Sequence, residues 1–158
     1  MARVLLVGCG CRGRRLAAQL ISEGHSVRGT SRSAEALSEI ESVGAEAAVA
    51  DPDRLGTLLP LLEGVSAVCW LMGTADADPL HGPRLRSLQL KLVDSPARGL
   101  VYEGAGSARS ELLAGGATIV REVGETFRMP VAVVEEDPAE PDTWAAAMVR
   151  AVTEVLEA

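Results

Sequence analysis

The feature that most constrains the fold is an apolar run that ends in a glycine-rich turn near the start of the chain. Residues 4–13 read VLLVGCGCRG, which places glycines at Gly8, Gly10 and Gly13. In a strand–turn–helix unit, the first glycine permits the tight turn, the second lets the backbone approach a phosphate, and the third lets the helix pack on the strand. Backbone N–H groups and the positive end of the helix dipole then face the anion. The turn therefore predicts a pyrophosphate cradle.

The remainder of the chain alternates short β-branched runs with segments of helical periodicity. After the first strand, further strands are predicted over 25–30, 46–50, 65–71, 99–103 and 130–135. The helices are predicted over 14–23, 33–43, 54–62, 83–93 and 141–158, and a further helical stretch is interrupted at Gly115-Gly116 and resumes over 117–127. This rhythm predicts an α/β fold in one domain, 1–158: a doubly wound parallel sheet of six strands in the order 3-2-1-4-5-6.

Composition and charge exclude several classes of partner. The net charge of −7 argues against a nucleic-acid or anionic membrane surface. No apolar run approaches the roughly 20 residues of a membrane-spanning helix, so we expect a cytoplasmic protein. Three cysteines fit no disulfide framework, and Cys9 and Cys11 are interpreted as small loop residues because no further ligand lies near them in sequence.

The segment that follows the second predicted strand favours NADP(H) over NAD(H). An NAD site places a carboxylate here, about 20 residues past the glycines, to bind the ribose hydroxyl. Residues 29–33 read GTSRS and contain no acid. The hydroxyls of Thr30 and Ser31 and the guanidinium of Arg32 suit a 2′-phosphate, and Arg12 is predicted as a second positive group. The alternative is that Arg32 is only a solvated loop residue.

Two further segments are predicted to lie on the adenine side of the site. Asp51 and Pro52 follow the third strand and could receive the adenine amino group, unless Asp51 only caps the next helix. Met72 and Gly73 end the fourth strand, where a glycine permits close approach to ribose or adenine, although an ordinary turn would look the same. The turn-rich stretch 73–81 is interpreted as a loop over the site. The predicted cofactor-binding residues are Gly8, Cys9, Gly10, Cys11, Arg12, Gly13, Thr30, Ser31, Arg32, Asp51, Pro52, Met72 and Gly73.

The whole chain resembles the short NAD(P)H-binding form of the atypical short-chain dehydrogenase and NAD-dependent epimerase superfamily. The glycine loop, residues 29–33, Ala50-Asp51 and the segment 99–104 carry the resemblance. The first 73 residues are also similar to the N-terminal half of the β-hydroxyacid dehydrogenases, through Gly24-His25-Ser26-Val27. That second family needs a large helical C-terminal domain, so the first resemblance is preferred. The resemblance to the short-chain dehydrogenases and epimerases implies dinucleotide binding and a homodimer whose subunits pair through the helices beside strands four and five.

The first resemblance also implies a catalytic Tyr-x-x-x-Lys pair with a Ser, in which the lysine lowers the tyrosine pKa. Lys91 is the sole lysine, and the residue four before it is Ser87. Tyr102 is the sole tyrosine, and the residue four after it is Gly106. The serine expected at the end of the fifth strand falls near Gly104. The resemblance therefore carries over cofactor binding without the catalytic set.

Two side chains are candidates for a substitute proton donor. Tyr102 and Glu103 end the fifth strand, and alternation sends only one of them towards the crevice. His81 follows the fourth-strand loop. Both Tyr102 and His81 also fit purely structural positions, in the core and at a helix start. Three functions stay open: an NADP(H)-binding sensor or accessory protein, a reductase or epimerase with an atypical acid, and an interaction protein with a vestigial loop.

Overall fold

Six strands run parallel in a single sheet in the computed structural model, which describes residues 2–158. They are β1 (Arg3–Val7), β2 (Ser26–Ser31), β3 (Glu46–Val49), β4 (Ala67–Trp70), β5 (Gly99–Glu103) and β6 (Val131–Val134). Their order is β3-β2-β1-β4-β5-β6, so the predicted fold class and strand order are confirmed. The order reverses between β1 and β4, and a crevice at the carboxyl ends of these two strands is where such sheets bind ligands.

Helices cover both faces of the sheet. They are α1 (Cys11–Ser22), α2 (Leu37–Ser42), α3 (Leu55–Leu58), α4 (Pro83–Val93), α5 (Ser110–Phe127) and α6 (Pro141–Glu157), with single 3-10 turns at Ala34–Ala36, Leu59–Leu62 and Asp78–His81. No helix within residues 2–158 is long and apolar enough to cross a membrane. Gly24, Gly44 and Gly64 follow helical segments with φ of +95°, +93° and +73°, the left-handed conformation that ends a helix without a Cβ penalty.

Alternation along the strands divides the core into two halves. Val4 and Leu6 of β1 face α1 and α6, where the helix α6 buries a set of inward residues: Trp144, Met148, Val152 and Val155. Leu5 and Val7 face the other side, where α4 and α5 pack over Trp70 and Tyr102. β1 and β4 are buried and apolar on both faces, as expected for the two central strands of a parallel sheet.

Two predicted helices differ from the observed ones. The helix predicted over 54–62 is only the short α3 followed by a 3-10 turn that contains Pro60, whose ring and missing N–H disfavour a continuous helix. The interruption predicted at Gly115-Gly116 is wrong, because α5 runs unbroken through both glycines. Gly116 is buried against Tyr102, so this glycine serves close packing rather than a helix break.

Candidate nucleotide-binding cleft

A cleft of about 590 Å³ opens at the carboxyl ends of β1 to β4. It brings together ten of the predicted cofactor-binding residues: Gly8, Cys9, Gly10, Arg12, Thr30, Ser31, Arg32, Asp51, Pro52 and Met72. Its size lies within the range of small-molecule sites in proteins. The predicted residues Cys11, Gly13 and Gly73 do not line it.

The floor of the cleft is the start of α1. Gly8 turns the chain with a φ of +88°, and Gly10 precedes the first helical residue. No side chain caps this end and no acidic residue occupies the first turn, so the N–H groups of residues 11–13 lack intrahelical partners. Nothing among the described atoms lies within 4 Å of where a Cβ on Gly10 would stand. The loop thus presents open space and unpaired N–H donors, which is what an anion requires.

Two predicted contact residues instead support the loop from below. The hydroxyl of Thr30 accepts the Gly8 N–H at 3.0 Å, and the carbonyl of Thr30 accepts the Cys9 N–H at 2.8 Å. The Cys9 side chain is buried against Gly29 and Gly13, and this burial raises the pKa of its thiol to about 11. Thr30 and Cys9 therefore support the backbone of the glycine loop, and both also line the cleft.

The arginines of the loop diverge because α1 begins at Cys11. Successive helical residues turn by about 100°, so Arg12 and Arg14 project to opposite sides of the axis. Arg14 lies on the β2 side, where its guanidinium is 3.2 Å from Glu39, and it lines the cleft together with Arg32. Arg14 was not predicted, because the sequence pattern started the helix at residue 14.

Arg12 projects to the other side and forms the tightest ion pair of the site. Its Nε and one terminal nitrogen donate to the two carboxylate oxygens of Glu103 at 2.6 and 2.7 Å, and the same terminal nitrogen reaches the Leu71 carbonyl at 3.3 Å. Glu103 is completely buried, and hydrogen bonding to it raises the pKa of Arg12. The role of Arg12 as a second cation for a 2′-phosphate stays a prediction: Arg12 lines the cleft, while its guanidinium is paired with Glu103.

Gly73 joins this ion pair instead of the cleft. Its N–H donates to Glu103 at 2.7 Å, and its carbonyl accepts the Ala108 N–H at 2.9 Å. A Cβ on Gly73 would overlap the carbonyl of Ala105. Gly73 thus approaches the loop after β5 and does not line the cleft, and its predicted contact with ribose or adenine stays a prediction.

Neither candidate for a proton donor lines the cleft. Tyr102 is completely buried, and its hydroxyl lies 2.6 Å from Nδ1 of His81, while Nε2 of His81 lies 2.8 Å from the Ala75 carbonyl. A carbonyl only accepts, so Nε2 carries the proton and Nδ1 accepts from the tyrosine. Burial raises the pKa of Tyr102. In this structure both side chains belong to the core, and they hold residue 75 in the cleft wall.

The residues predicted on the adenine side, Asp51, Pro52 and Met72, lie in a turn after β3 and in the wall after β4. The carboxylate of Asp51 accepts the Asp53 N–H at 2.9 Å, so Asp51 fixes the turn around the buried Pro52 while it lines the cleft. Met72 covers Gly8 so closely that a Cβ there would overlap its methyl group. Asp51 thus holds a local turn and lines the cleft, but it does not cap the next helix, because the N-cap of α3 is Arg54 and no side chain caps it.

The loop between β4 and α4 closes the far side of the cleft, as the sequence predicted. Thr74, Ala75, Asp76, Ala77, Pro79 and Leu80 line it. Asp76 accepts from the backbone and side chain of Arg109 at 3.0 Å, and these hydrogen bonds hold the pKa of its carboxyl below its usual range. The indole of Trp70 donates to the Leu80 carbonyl at 2.9 Å. Trp70 fluorescence should therefore respond to changes at this wall.

The three cysteines should differ sharply in reactivity. Cys11 is exposed at the start of α1, whereas Cys9 and Cys69 are buried, and burial raises the pKa of both thiols. Because the thiolate is the nucleophile, we expect N-ethylmaleimide at pH 8 to label only Cys11 in the folded protein and all three in urea. Mass spectrometry of the labelled peptides checks this, and early labelling of Cys9 would contradict the position of its side chain.

Within residues 2–158, no cluster of three or more His, Cys, Asp or Glu side chains could hold a metal ion.

No protein-family model matches the sequence, and no curated protein matches it as a relative. Solved structures do match the fold. BdcA (YjgI) from E. coli aligns with a TM-score of 0.74 at 15% identity, over 94% of this chain and 89% of that protein. UDP-glucose 4-epimerase from Thermotoga maritima aligns at 0.67 and 9% identity, over 84% and 54%.

A third match is the triphenylmethane reductase of Citrobacter sp. complexed with NADP(H), with a TM-score of 0.65 at 18% identity over 85% of this chain and 49% of the reductase. The chain thus spans about half the length of the epimerase and of the reductase. At these identities the likeness establishes the fold, which is the one that the resemblance drawn from the sequence implied.

Proposed function

We propose that this protein binds NADP(H) and acts as a sensor, regulator or accessory subunit, without the catalytic set of the short-chain dehydrogenases. The observation that carries the proposal is the uncapped start of α1 at the floor of a cleft whose β2 side presents Arg32 and no carboxylate. The free N–H groups suit a pyrophosphate, and a guanidinium beside a hydroxyl suits a 2′-phosphate.

The residues present fit the adenosine part of such a ligand. Arg32 is exposed at the cleft edge, and none of the ion pairs within residues 2–158 engages it. Arg14, which is paired with the exposed Glu39, supplies a second cation nearby, and Ser31 supplies a hydroxyl. Asp51 has a carboxylate oxygen that can accept from the adenine amino group. These groups would hold the ligand through its charged and polar ends.

The alternative of a reductase or epimerase needs a proton donor within reach of the ligand. A bound NADPH would supply the hydride, and the protein would have to orient it and provide the proton. Tyr102 and His81 are bonded to each other inside the core and do not line the cleft. Their positions favour the non-catalytic proposal over this alternative.

Substitution of Arg32 tests the cofactor specificity. We expect Arg32→Ala to weaken NADPH binding by about 1–3 kcal/mol, as for a lost charge-assisted hydrogen bond, and to leave NADH binding nearly unchanged. The measurement is titration of the purified protein, followed by the fluorescence of Trp70 and Trp144. Arg86→Ala is the matched control, because Arg86 is exposed on α4 and does not line the cleft.

Equal losses for NADPH and NADH would contradict the 2′-phosphate role of Arg32. Absence of saturable binding of either cofactor below millimolar concentration would contradict the proposal itself and would favour an interaction protein with a vestigial loop. Protection of Cys11 provides a readout independent of fluorescence, since a pyrophosphate on the first turn of α1 should slow its alkylation by N-ethylmaleimide.

A further inference from the structure

We infer that the cleft binds only the adenosine 2′-phosphate and pyrophosphate part of its ligand, and that the nicotinamide ring stays outside, in solvent. The inference rests on the proposed function and deepens it, because it names which part of the dinucleotide the protein recognises. It follows from the packing at the carboxyl ends of β4, β5 and β6, where the second nucleotide of a dinucleotide would bind and where little open space remains.

Most of the cleft wall comes from the first half of the sheet, and the second half contributes only the segment that follows β4. A doubly wound sheet contains two βαβαβ halves, and a dinucleotide normally places one nucleotide on each. The first half lines the cleft with residues at and just after the carboxyl ends of β1, β2 and β3, and the second half with residues between 71 and 80, which follow β4. Within the described chain, no residue of β5, α5 or β6 contributes to it.

The Arg12–Glu103 ion pair closes the passage to the other half. Arg12 extends from the first turn of α1 across the carboxyl end of β4, where it also contacts the Leu71 carbonyl, to the end of β5. Glu103 accepts hydrogen bonds from Arg12 on both oxygens and from Gly73 on one of them. Three of its roughly four acceptor sites are therefore engaged within the protein, and the carboxylate is completely buried.

The loop after β5 covers the strands beyond the ion pair. The carbonyl of Gly73 accepts the Ala108 N–H at 2.9 Å, and the Gly104 N–H donates to the Val134 carbonyl at 2.8 Å. Gly106 packs so closely on Gly73 that a Cβ on it would overlap the Gly73 backbone. The carboxyl ends of β4, β5 and β6 are thus tied together, where a second nucleotide would otherwise need space.

A protein that holds only this part of NADP(H) responds to the ligand's 2′-phosphate and is indifferent to its oxidation state. The oxidised and reduced forms differ only in the ring, and the ring would make no contact. Such a site also leaves the ring without a partner for hydride transfer, which accords with the positions of Tyr102 and His81 outside the cleft.

The experiment compares three ligands by isothermal titration calorimetry with the full chain: NADPH, NADP⁺ and 2′-phospho-ADP-ribose, which lacks the nicotinamide base. We expect the three dissociation constants to agree within about fivefold. Nicotinamide mononucleotide should not bind below millimolar concentration. The emission of the dihydronicotinamide ring should be the same for bound and free NADPH, because the ring stays in water.

Two failures are distinguishable. If NADPH binds more than about fivefold tighter than 2′-phospho-ADP-ribose, or if its ring emission shifts and intensifies in the complex, the ring is held and this inference is wrong while the proposed function stands. If none of the three ligands binds, the proposed function falls, and the inference falls with it.

Discussion

Replacing Arg12 by Met should destabilise the fold by about 3–5 kcal/mol, because it leaves the buried Glu103 without its counter-ion. Glu103 has an exposed fraction of 0%, and the Arg12 side chain is only 19% exposed. Both carboxylate oxygens accept from Arg12, so the loss includes two short charge-assisted hydrogen bonds. The measurement is urea unfolding at pH 7, followed by the fluorescence of the buried Trp70 and Trp144.

The matched control is Arg15→Met, which removes another ion pair from the same helix. Arg15 and Asp142 form a contact of 2.6 Å, but their side chains are 48% and 88% exposed, so the expected change is within about 0.5 kcal/mol. The double variant Arg12→Met with Glu103→Gln should recover part of the loss, because no uncompensated charge then remains buried. If Arg12→Met lowered the free energy of unfolding no more than Arg15→Met does, the buried Arg12–Glu103 ion pair would be contradicted.

The fold could be predicted because its signals are local. Apolar runs, helical periodicity and the glycines that end the helices each act within a few residues, and the order of the strands was predicted from the usual arrangement of doubly wound dinucleotide-binding sheets. The glycine loop was predictable for the same reason. The pattern Gly8, Gly10 and Gly13 is read within six residues, and Thr30 adds a distant support.

The site beyond the loop could not be predicted in the same way. Arg12 and Glu103 are 91 residues apart, and nothing near either of them indicates the pairing. Alternation showed that only one of Tyr102 and Glu103 faces the crevice, but it could not say which. The sides taken by Arg12 and Arg14 depend on the first helical residue, and helix ends are the least certain part of a pattern. Because α1 begins at residue 11 and not at residue 14, Arg14 lies on the β2 side of the cleft, while Arg12 lies on the side of Glu103.

Gly115 and Gly116 illustrate a different limit of sequence interpretation. Two adjacent glycines in a helical pattern indicate a break, since each costs about 1 kcal/mol relative to alanine. The helix α5 continues because its buried face needs room: Gly116 lies on the ring of Tyr102, which itself is fixed by His81. The burial of one tyrosine thus overrides local propensity at a position that only the tertiary structure reveals.

Adding a methyl group at Gly116 should therefore cost about 2–4 kcal/mol, from overpacking and from disturbance of the buried Tyr102–His81 hydrogen bond. A Cβ at this position would overlap the hydroxyl of Tyr102 and stand 2.5 Å from its Cζ. The ring has no free direction, because it is completely buried and its hydroxyl is held 2.6 Å from His81. Urea unfolding of Gly116→Ala measures the loss.

The neighbouring glycine provides a control with the opposite expected sign. Gly115 is exposed in the same helix, and nothing lies within 4 Å of the position of its Cβ. Gly115→Ala should stabilise the protein by about 0.4–1 kcal/mol, because alanine loses less backbone entropy in a helix. If Gly116→Ala were as stable as Gly115→Ala, Tyr102 could not be packed on α5 as described. Its hydroxyl would then be free to turn towards the cleft, and the case for an atypical proton donor would reopen.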